Sequence, residues 1–209
     1  DGGWGQTGYA RVGLSGGGTS GNVSWNGNLY GLQGMPSFST DPQLQTLARS
    51  GINPGTARAL GGILSVNWAI TPQLVWSARG AFQVAFAELT GDMGFALGSD
   101  TGLKGLPGTL ISGDNGYLWT TELTWTFWTN QKQALQLVPF IGSGGIHFWR
   151  NRLYVSDTVG STGAYVRWLI DRHWNLELGW VSPFDTEERL YWNDWVLSSG
   201  VYSKIQYRF

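Results

Sequence analysis

The sequence predicts an all-β fold, an antiparallel transmembrane β-barrel. Apolar and polar residues alternate strictly in many segments, which is the period-two pattern of strands with two different faces. The connections between these segments alternate between short and long. Only 13% of the residues are charged, while the chain contains 13 Trp. Together these observations predict strands with an apolar face towards lipid and a polar face towards an aqueous interior.

The composition argues against several other classes of protein. The 209 residues carry a net charge of −1 and no stripe of Lys and Arg, so nucleic-acid binding is not expected. The low charge and the many aromatic residues argue against disorder. No run approaches about 18 consecutive apolar residues, which excludes a transmembrane helix. Without cysteine there is no disulfide framework.

About nine strands follow from the alternation, and each is long enough to cross a bilayer when tilted. In "YLWTTELTWTFW", Trp119, Trp125 and Phe127 share one face. Glu122 lies on the opposite face, among threonines. The predicted strands lie near 4–14, 22–32, 58–70, 74–87, 116–128, 135–146, 159–170, 174–184 and 197–209.

The connections alternate in length along the chain. Short ones are predicted at 15–21, 71–73, 129–134 and 171–173, and long ones at 33–57, 88–115, 147–158 and 185–196. Short turns at one rim and long loops at the other are typical of an up-and-down transmembrane barrel. The alternative is a soluble β-sandwich, which would bury Trp125, Trp168 and Trp180 between two sheets. The polar face argues against it, because Thr, Ser, Gly and Asn dominate there instead of Lys and Glu.

The last strand, "SGVYSKIQYRF", has one apolar and one polar face. We expect its carboxyl end at the periplasmic rim, where aromatic residues form a belt at the lipid interface. Tyr207 and Phe209 are predicted to act there as the signal by which the barrel-assembly machinery recognises a C-terminal strand.

An odd number of strands does not describe a complete bacterial barrel, whose strand number is even. Either one strand is missing from the count, or residues 1–209 form the C-terminal portion of a larger barrel. We favour the second interpretation and expect a barrel of about 16 strands, with the earlier strands outside this chain.

The segment "FALGSDTGLKGLPGTLISGDNGYLWTTELTW", followed by "LQLVPFIGSGG", indicates which barrel this is. It resembles the C-terminal region of the TpsB translocators of two-partner secretion, of the hemolysin-activator type, in the superfamily that includes the outer-membrane assembly factor BamA. The family shows a "V-R-G-Y" tetrad, a "G-D-N-G" run and "L-V-P-F-I-D". The likeness covers Leu60 to Phe209, and its specific motifs lie between Phe95 and Ile146.

This resemblance implies that a loop at about 88–115 folds back into the barrel lumen. The tetrad maps onto Leu103, Lys104, Gly105 and Leu106. Its acidic partner on the barrel wall is retained as Glu122, whereas Gly142 stands where the family has Asp. We therefore expect one Lys104–Glu122 contact, weaker than the family's because Lys lacks the planar fork of Arg. The alternative is that Lys104 is a solvated loop lysine.

Further charged residues fall on the inner face of the predicted strands. We expect most of them to pair with one another, and the alternative is that they guide an unfolded polypeptide. They are Arg79, Arg167, Glu177, Lys204 and Arg208.

The sequence offers little for catalysis. His147 and His173 lie at opposite rims without metal-ligand spacing or an Asp/Ser partner. Asp185, Glu187 and Glu188 lie in a predicted outer loop, which does not provide the dry pocket that acid–base catalysis needs. We therefore expect no enzymatic activity, no metal and no cofactor.

The resemblance implies an outer-membrane transporter that translocates or inserts an unfolded secreted polypeptide without ATP, with POTRA domains upstream of this chain. The other expected partners are outer-membrane lipid, lipopolysaccharide and the assembly machinery. A passive porin or a structural barrel stays open as the alternative, because the altered tetrad and Gly142 weaken the loop contact. An outer-membrane lipase or protease has no supporting residues.

Overall fold

The computed structural model describes residues 8–106, 108–150, 153–171, 173–184 and 200–208. It confirms the predicted antiparallel architecture. Nine strands form one sheet in which each strand pairs with the next long strand along the chain. These are β1 Tyr9–Ser20, β2 Val23–Gly34, β3 Arg58–Thr71, β4 Leu74–Ala85, β7 Asn115–Thr129, β8 Gln133–Arg150, β9 Leu153–Ile170, β10 Trp174–Phe184 and β11 Gly200–Tyr207.

The remaining elements lie in two of the long connections. Between β2 and β3 lies the helix α1, Asp41–Arg49, which the sequence analysis missed. Asp41 in its first turn and Arg49 in its last turn match the helix dipole. Between β4 and β7, the short strands β5 (Phe95–Leu97) and β6 (Ile111–Gly113) pair with each other. The connections at the opposite rim are short.

The sheet has two chemically different faces. The outer face carries the large apolar side chains that the sequence analysis assigned to lipid. Trp125, Trp168 and Trp180 are 50%, 41% and 49% exposed, so no second sheet covers them among the described residues, as a sandwich would require. The opposite, inner face carries Glu122, Tyr165 and Glu177 and is covered in part by the β4–β7 connection.

Two predicted connections are wrong because strands run through them. The Gly-rich segment predicted as a turn at 15–21 is the second half of β1. The indole of Trp25, on β2, packs over Gly18, and such cross-strand aromatic packing stabilises a glycine in a sheet. The true turn has two residues and begins at Gly21, whose φ is +56°. The long loop predicted at 147–158 is instead the paired ends of β8 and β9.

The sheet does not close on itself within the described residues, because β1 pairs only with β2, and β11 only with β10. In the same part of the chain, no helix is both long and apolar enough to cross a membrane.

Lipid contact at the outer face predicts that a charged side chain introduced there destabilises the protein. Leu178 lies in the middle of β10 on the outer face and is 61% exposed. In the full gene product refolded into phospholipid vesicles, Leu178→Arg should lower the free energy of unfolding by about 2–4 kcal/mol, because Arg is costly near the bilayer midplane. Equilibrium unfolding in guanidinium measures this change.

The matched control is Asn26→Arg, at an exposed position on the inner face. It should change the free energy of unfolding by no more than about 0.5 kcal/mol. Equal effects of the two substitutions would show that the outer face does not contact lipid.

Candidate functional site

The candidate site is the connection between β4 and β7, residues 86–114, which we call the inner loop. It folds back along the inner face of the sheet and does not extend away from it. Leu97 and Leu103 are fully buried, and Leu106 and Leu110 are each 6% exposed. These four leucines form one apolar cluster with wall residues of β7, β8 and β9, namely Leu118, Ile146 and Val159.

Apolar burial holds the inner loop in place. Burying a Leu side chain contributes about 1.5–3 kcal/mol, so four of them outweigh any exposed polar contact. Here the structure departs from the wet interior that the sequence analysis expected, because the part of the inner face beneath the loop is dry. In the sequence, this contact is indicated by Leu, Ile and Val residues on the inner face of β7, β8 and β9.

The tip of the inner loop turns tightly on glycines. Gly102 and Gly105 have φ values of +118° and +76°, in the region that favours glycine. Gly105 also lies against β10, since a Cβ on it would be 2.5 Å from both methyl carbons of Val181. Two of the predicted tetrad positions, Leu103 and Gly105, therefore pack directly against the wall.

Lys104 carries the charge at the tip, and the structure brings it to its predicted partner. Its Nζ lies 3.2 Å from Oε1 of Glu122 on β7, with both side chains 28% exposed. The same Nζ lies 4.9 Å from the centroid of the Tyr165 ring, within the range of a cation–π contact. Because the pair is partly solvated, it contributes no more than about 1 kcal/mol.

The ion pair is one end of a chain of polar contacts across β7, β9 and β10. The hydroxyl of Tyr165 donates to Oε2 of Glu122 at 3.3 Å and accepts from Nη2 of Arg167 at 2.8 Å. Nε of Arg167 donates to Oε1 of Glu177 at 3.1 Å. The charges thus alternate in sign from Lys104 to Glu177, and the phenol of Tyr165 joins the two ion pairs.

Tyr165 is the residue that the sequence analysis missed. It lies on the inner face of β9 and is only 1% exposed. Its ring lies 6.0 Å from Phe140 and 6.1 Å from Tyr202, between neighbours on β8 and β11. A large aromatic side chain at an inner-face position was the available signal, but its partners come from three other strands.

Gly142, where the family has Asp, lies beneath the inner loop. A Cβ built on it would be 2.8 Å from Cγ2 of Thr120 and 3.1 Å from Cδ2 of Leu103. The volume that a carboxylate would need is therefore filled by apolar carbon. Leu103 packing on a bare backbone replaces a second charged contact.

The other predicted charges are only partly paired. Arg167 and Glu177 form the second ion pair described above. Among the described residues, Arg79, Lys204 and Arg208 form no ion pair, although Lys204 is the cross-strand neighbour of Glu177. Of the five charged residues predicted on the inner face, two thus pair with each other in the described part of the chain and three do not.

The remaining predicted residues lie at the rims. The Tyr207 ring is 4.8 Å from Trp174 and 5.9 Å from His173, in an aromatic group at the rim of short turns. His147 lies 6.0 Å from Tyr154. Within the described ranges, no three His, Asp or Glu side chains are grouped as a metal site. Phe209, Asp185, Glu187 and Glu188 lie outside the described residues.

The geometry predicts that Leu103 anchors the inner loop more strongly than Lys104 does. Leu103→Ala removes a fully buried side chain, a change that costs about 2–5 kcal/mol, whereas the exposed pair is worth about 0–1 kcal/mol. The chain has no cysteine, so Leu106→Cys provides a unique buried thiol. Against that common background, Leu103→Ala should raise its maleimide labelling rate about 30-fold, and Lys104→Met no more than about 5-fold. If Lys104→Met raised the labelling rate more than Leu103→Ala does, the ion pair would be the main anchor of the loop.

Restoring the family's acidic residue should disturb the loop. Gly142→Asp places side-chain atoms where Leu103 now lies, so labelling of the Leu106→Cys thiol should increase. In a Leu103→Ala background the contact with Leu103 is removed and the one with Thr120 remains, so Gly142→Asp should add less further labelling than it does alone. Additive effects of the two substitutions would rule out the steric explanation.

Comparison with known proteins places this geometry in a family. The model of the haemolysin secretion/activation protein family ShlB/FhaC/HecB matches residues 6–165, more than half of the chain. The solved structure of CdiB from Escherichia coli is similar in fold, with a TM-score of 0.75 and 20% sequence identity. That match covers 96% of this chain and 36% of CdiB, so the chain spans little more than a third of that protein. No curated protein matches the chain. The chain therefore belongs to the haemolysin secretion/activation protein family ShlB/FhaC/HecB, and its nine-stranded sheet has the fold of part of CdiB.

Proposed function

We propose that this chain is the C-terminal part of an outer-membrane barrel that translocates or inserts an unfolded partner polypeptide without ATP. The observation that carries the proposal is the inner loop, which docks its leucines on the inner wall and places Lys104 on Glu122. A loop in this position obstructs the interior and must move before a polypeptide can pass.

The way the loop is held suits reversible opening. Among the described residues, the loop is held on the wall by apolar packing, one partly exposed ion pair, the Lys104–Tyr165 contact and hydrogen bonds that Gln83 donates to the carbonyl oxygens of Met93 and Asp114. None of these contacts is covalent. Displacing such a segment requires a few contacts to be replaced, which an entering polypeptide chain can supply. Family membership supports the same function.

The proposed placement follows from the two rims. The short-turn rim, with Tyr207 and the carboxyl end, faces the periplasm, and the long connections face outwards. The outer face contacts lipid and, towards the outside, lipopolysaccharide. The assembly machinery reads the last strand with Tyr207 and Phe209. Further strands and periplasmic POTRA domains outside this chain complete the protein, consistent with the 36% coverage of CdiB.

A passive porin or structural barrel with a degenerate plug loop is the second candidate. The observation that favours it is the lysine in place of the tetrad's arginine, together with the missing carboxylate at Gly142. The close packing of Leu103 on Gly142 argues against it, because a plug that had lost its role would not need to fit its wall.

Replacing the loop tip distinguishes the two functions. Leu97 pairs with Ile111, so an Asn-Gly turn in place of residues 98–110 closes the β5–β6 hairpin with a favourable two-residue turn. In planar bilayers, the full gene product with this replacement should conduct several times more current than the unaltered protein. It should also stop exporting its partner polypeptide in cells, because regulated passage is lost.

A matched control shortens the other long connection by replacing α1, residues 41–49, with a short Gly-Ser linker. This change lies away from the inner loop and should leave conductance unaltered. If the tip replacement also leaves conductance unchanged, the loop is not a plug and the porin interpretation is favoured.

A further inference from the structure

A second feature of the inner face lies below the loop tip, at the short-turn rim. It is a pocket of about 680 Å³ between Lys104 and the turns that follow β7 and β9. Five basic side chains line it, against the single carboxylate of Glu177. The basic residues are Lys104, Lys132, Arg167, Lys204 and Arg208. We call it the basic pocket.

The basic pocket has a larger excess of basic over acidic residues than the chain as a whole. The protein has 13 Lys and Arg against 14 Asp and Glu, yet the pocket has five against one. Two of its cations are already neutralised, since Lys104 contacts Glu122 and Arg167 contacts Glu177. The other three, Lys132, Lys204 and Arg208, have no ionic partner among the described residues and concentrate positive potential at this rim.

The rest of the lining mixes polar side chains with the apolar Ala134, Leu169 and Trp174. Gln133, Asn175 and Gln206 contribute amides, and Oδ1 of Asn175 has no hydrogen-bond partner within the described ranges. Amides bind peptide groups without regard to sequence, because each offers both a donor and an acceptor. The basic pocket therefore selects by charge and not by side-chain shape.

The position of the basic pocket indicates which kind of anion it binds. Lys204 lies on the inner face of β11, opposite Val201 and Ile205 on the outer face, which are 76% and 67% exposed. Lipid headgroups at the outer face are thus separated from the pocket by the sheet, whereas a chain passing through the interior meets it directly. We propose that the basic pocket is a docking site for acidic segments of the polypeptide being translocated, an inference that rests on the proposed function.

Weak binding is what such a site requires. Contacts between solvent-exposed charges are individually weak, so three of them capture an acidic segment and still release it. The attraction acts over about a Debye length, which draws segments towards this rim before contact. The basic pocket would favour the entry of acidic segments at this rim without binding them tightly.

Binding of labelled deca-glutamate tests the proposal. With the full gene product in zwitterionic-detergent micelles at about 0.05 M salt, fluorescence anisotropy should show binding of deca-glutamate and none of deca-lysine, and binding should be lost near 0.5 M salt because of screening. Combined Lys132→Gln, Lys204→Gln and Arg208→Gln should weaken binding about tenfold or more. The matched control, Arg11→Gln with Arg49→Gln and Arg58→Gln, removes as much charge elsewhere and should leave binding unchanged.

Cross-linking of the unaltered protein keeps the test independent of whether the variant folds. A benzophenone at the amino end of deca-glutamate should mark the turn around Lys132 and strand β11 near Lys204. Marking elsewhere, equal loss of binding in both triple variants, or binding of phosphatidylglycerol vesicles but not of deca-glutamate would overturn the proposal. In the last case the basic pocket serves anionic lipid.

The experiment also separates this inference from the function on which it rests. If deca-glutamate binds at the basic pocket but the tip replacement leaves conductance unchanged, the docking site is supported and the transport function is not. If transport is demonstrated and the peptide does not bind, only the docking site is wrong.

Discussion

The fit between the inner loop and strand β8 determines how this part of the molecule is organised. Gly142 presents bare backbone to the interior, and the side chain of Leu103 lies directly on it without exposed surface. Because Lys104 is the next residue, the depth at which Leu103 packs also sets how far the ammonium reaches towards Glu122. The ion pair is therefore a consequence of the apolar contact and not its cause.

The inner face consequently has two zones along the strands. Beneath the loop, apolar residues such as Ile146 and Val159 form a dry core, where an unpaired charge would be costly. Towards the short turns the loop no longer covers the wall, and Lys204 and Arg208 are exposed. The network through Tyr165 lies at the border, where each charge still has a partner and some water.

The sequence predicted the elements whose signal is local. Period-two alternation located all nine long strands, and the family motifs identified the pair Lys104 and Glu122. It could not predict that the glycines after Ser15 continue a strand, because their partner is the indole of Trp25 on the next strand. Nor could it predict the role of Tyr165, whose contacts lie on β7, β8 and β11. In both cases the deciding interaction joins residues on different strands.

Two of the departures from the family's motifs, at Leu103 and Gly142, make physical sense together. The tetrad's Val corresponds to the larger Leu103 and the family's Asp to the smaller Gly142, so a larger side chain on the loop meets a smaller residue on the wall. An interior contact between close-packed atoms tolerates such a change only when both sides change. Loss of the carboxylate is thus not by itself a sign of a degenerate plug. Where the resemblance implies a charged contact, this chain has an apolar one, and the loop lies against the wall.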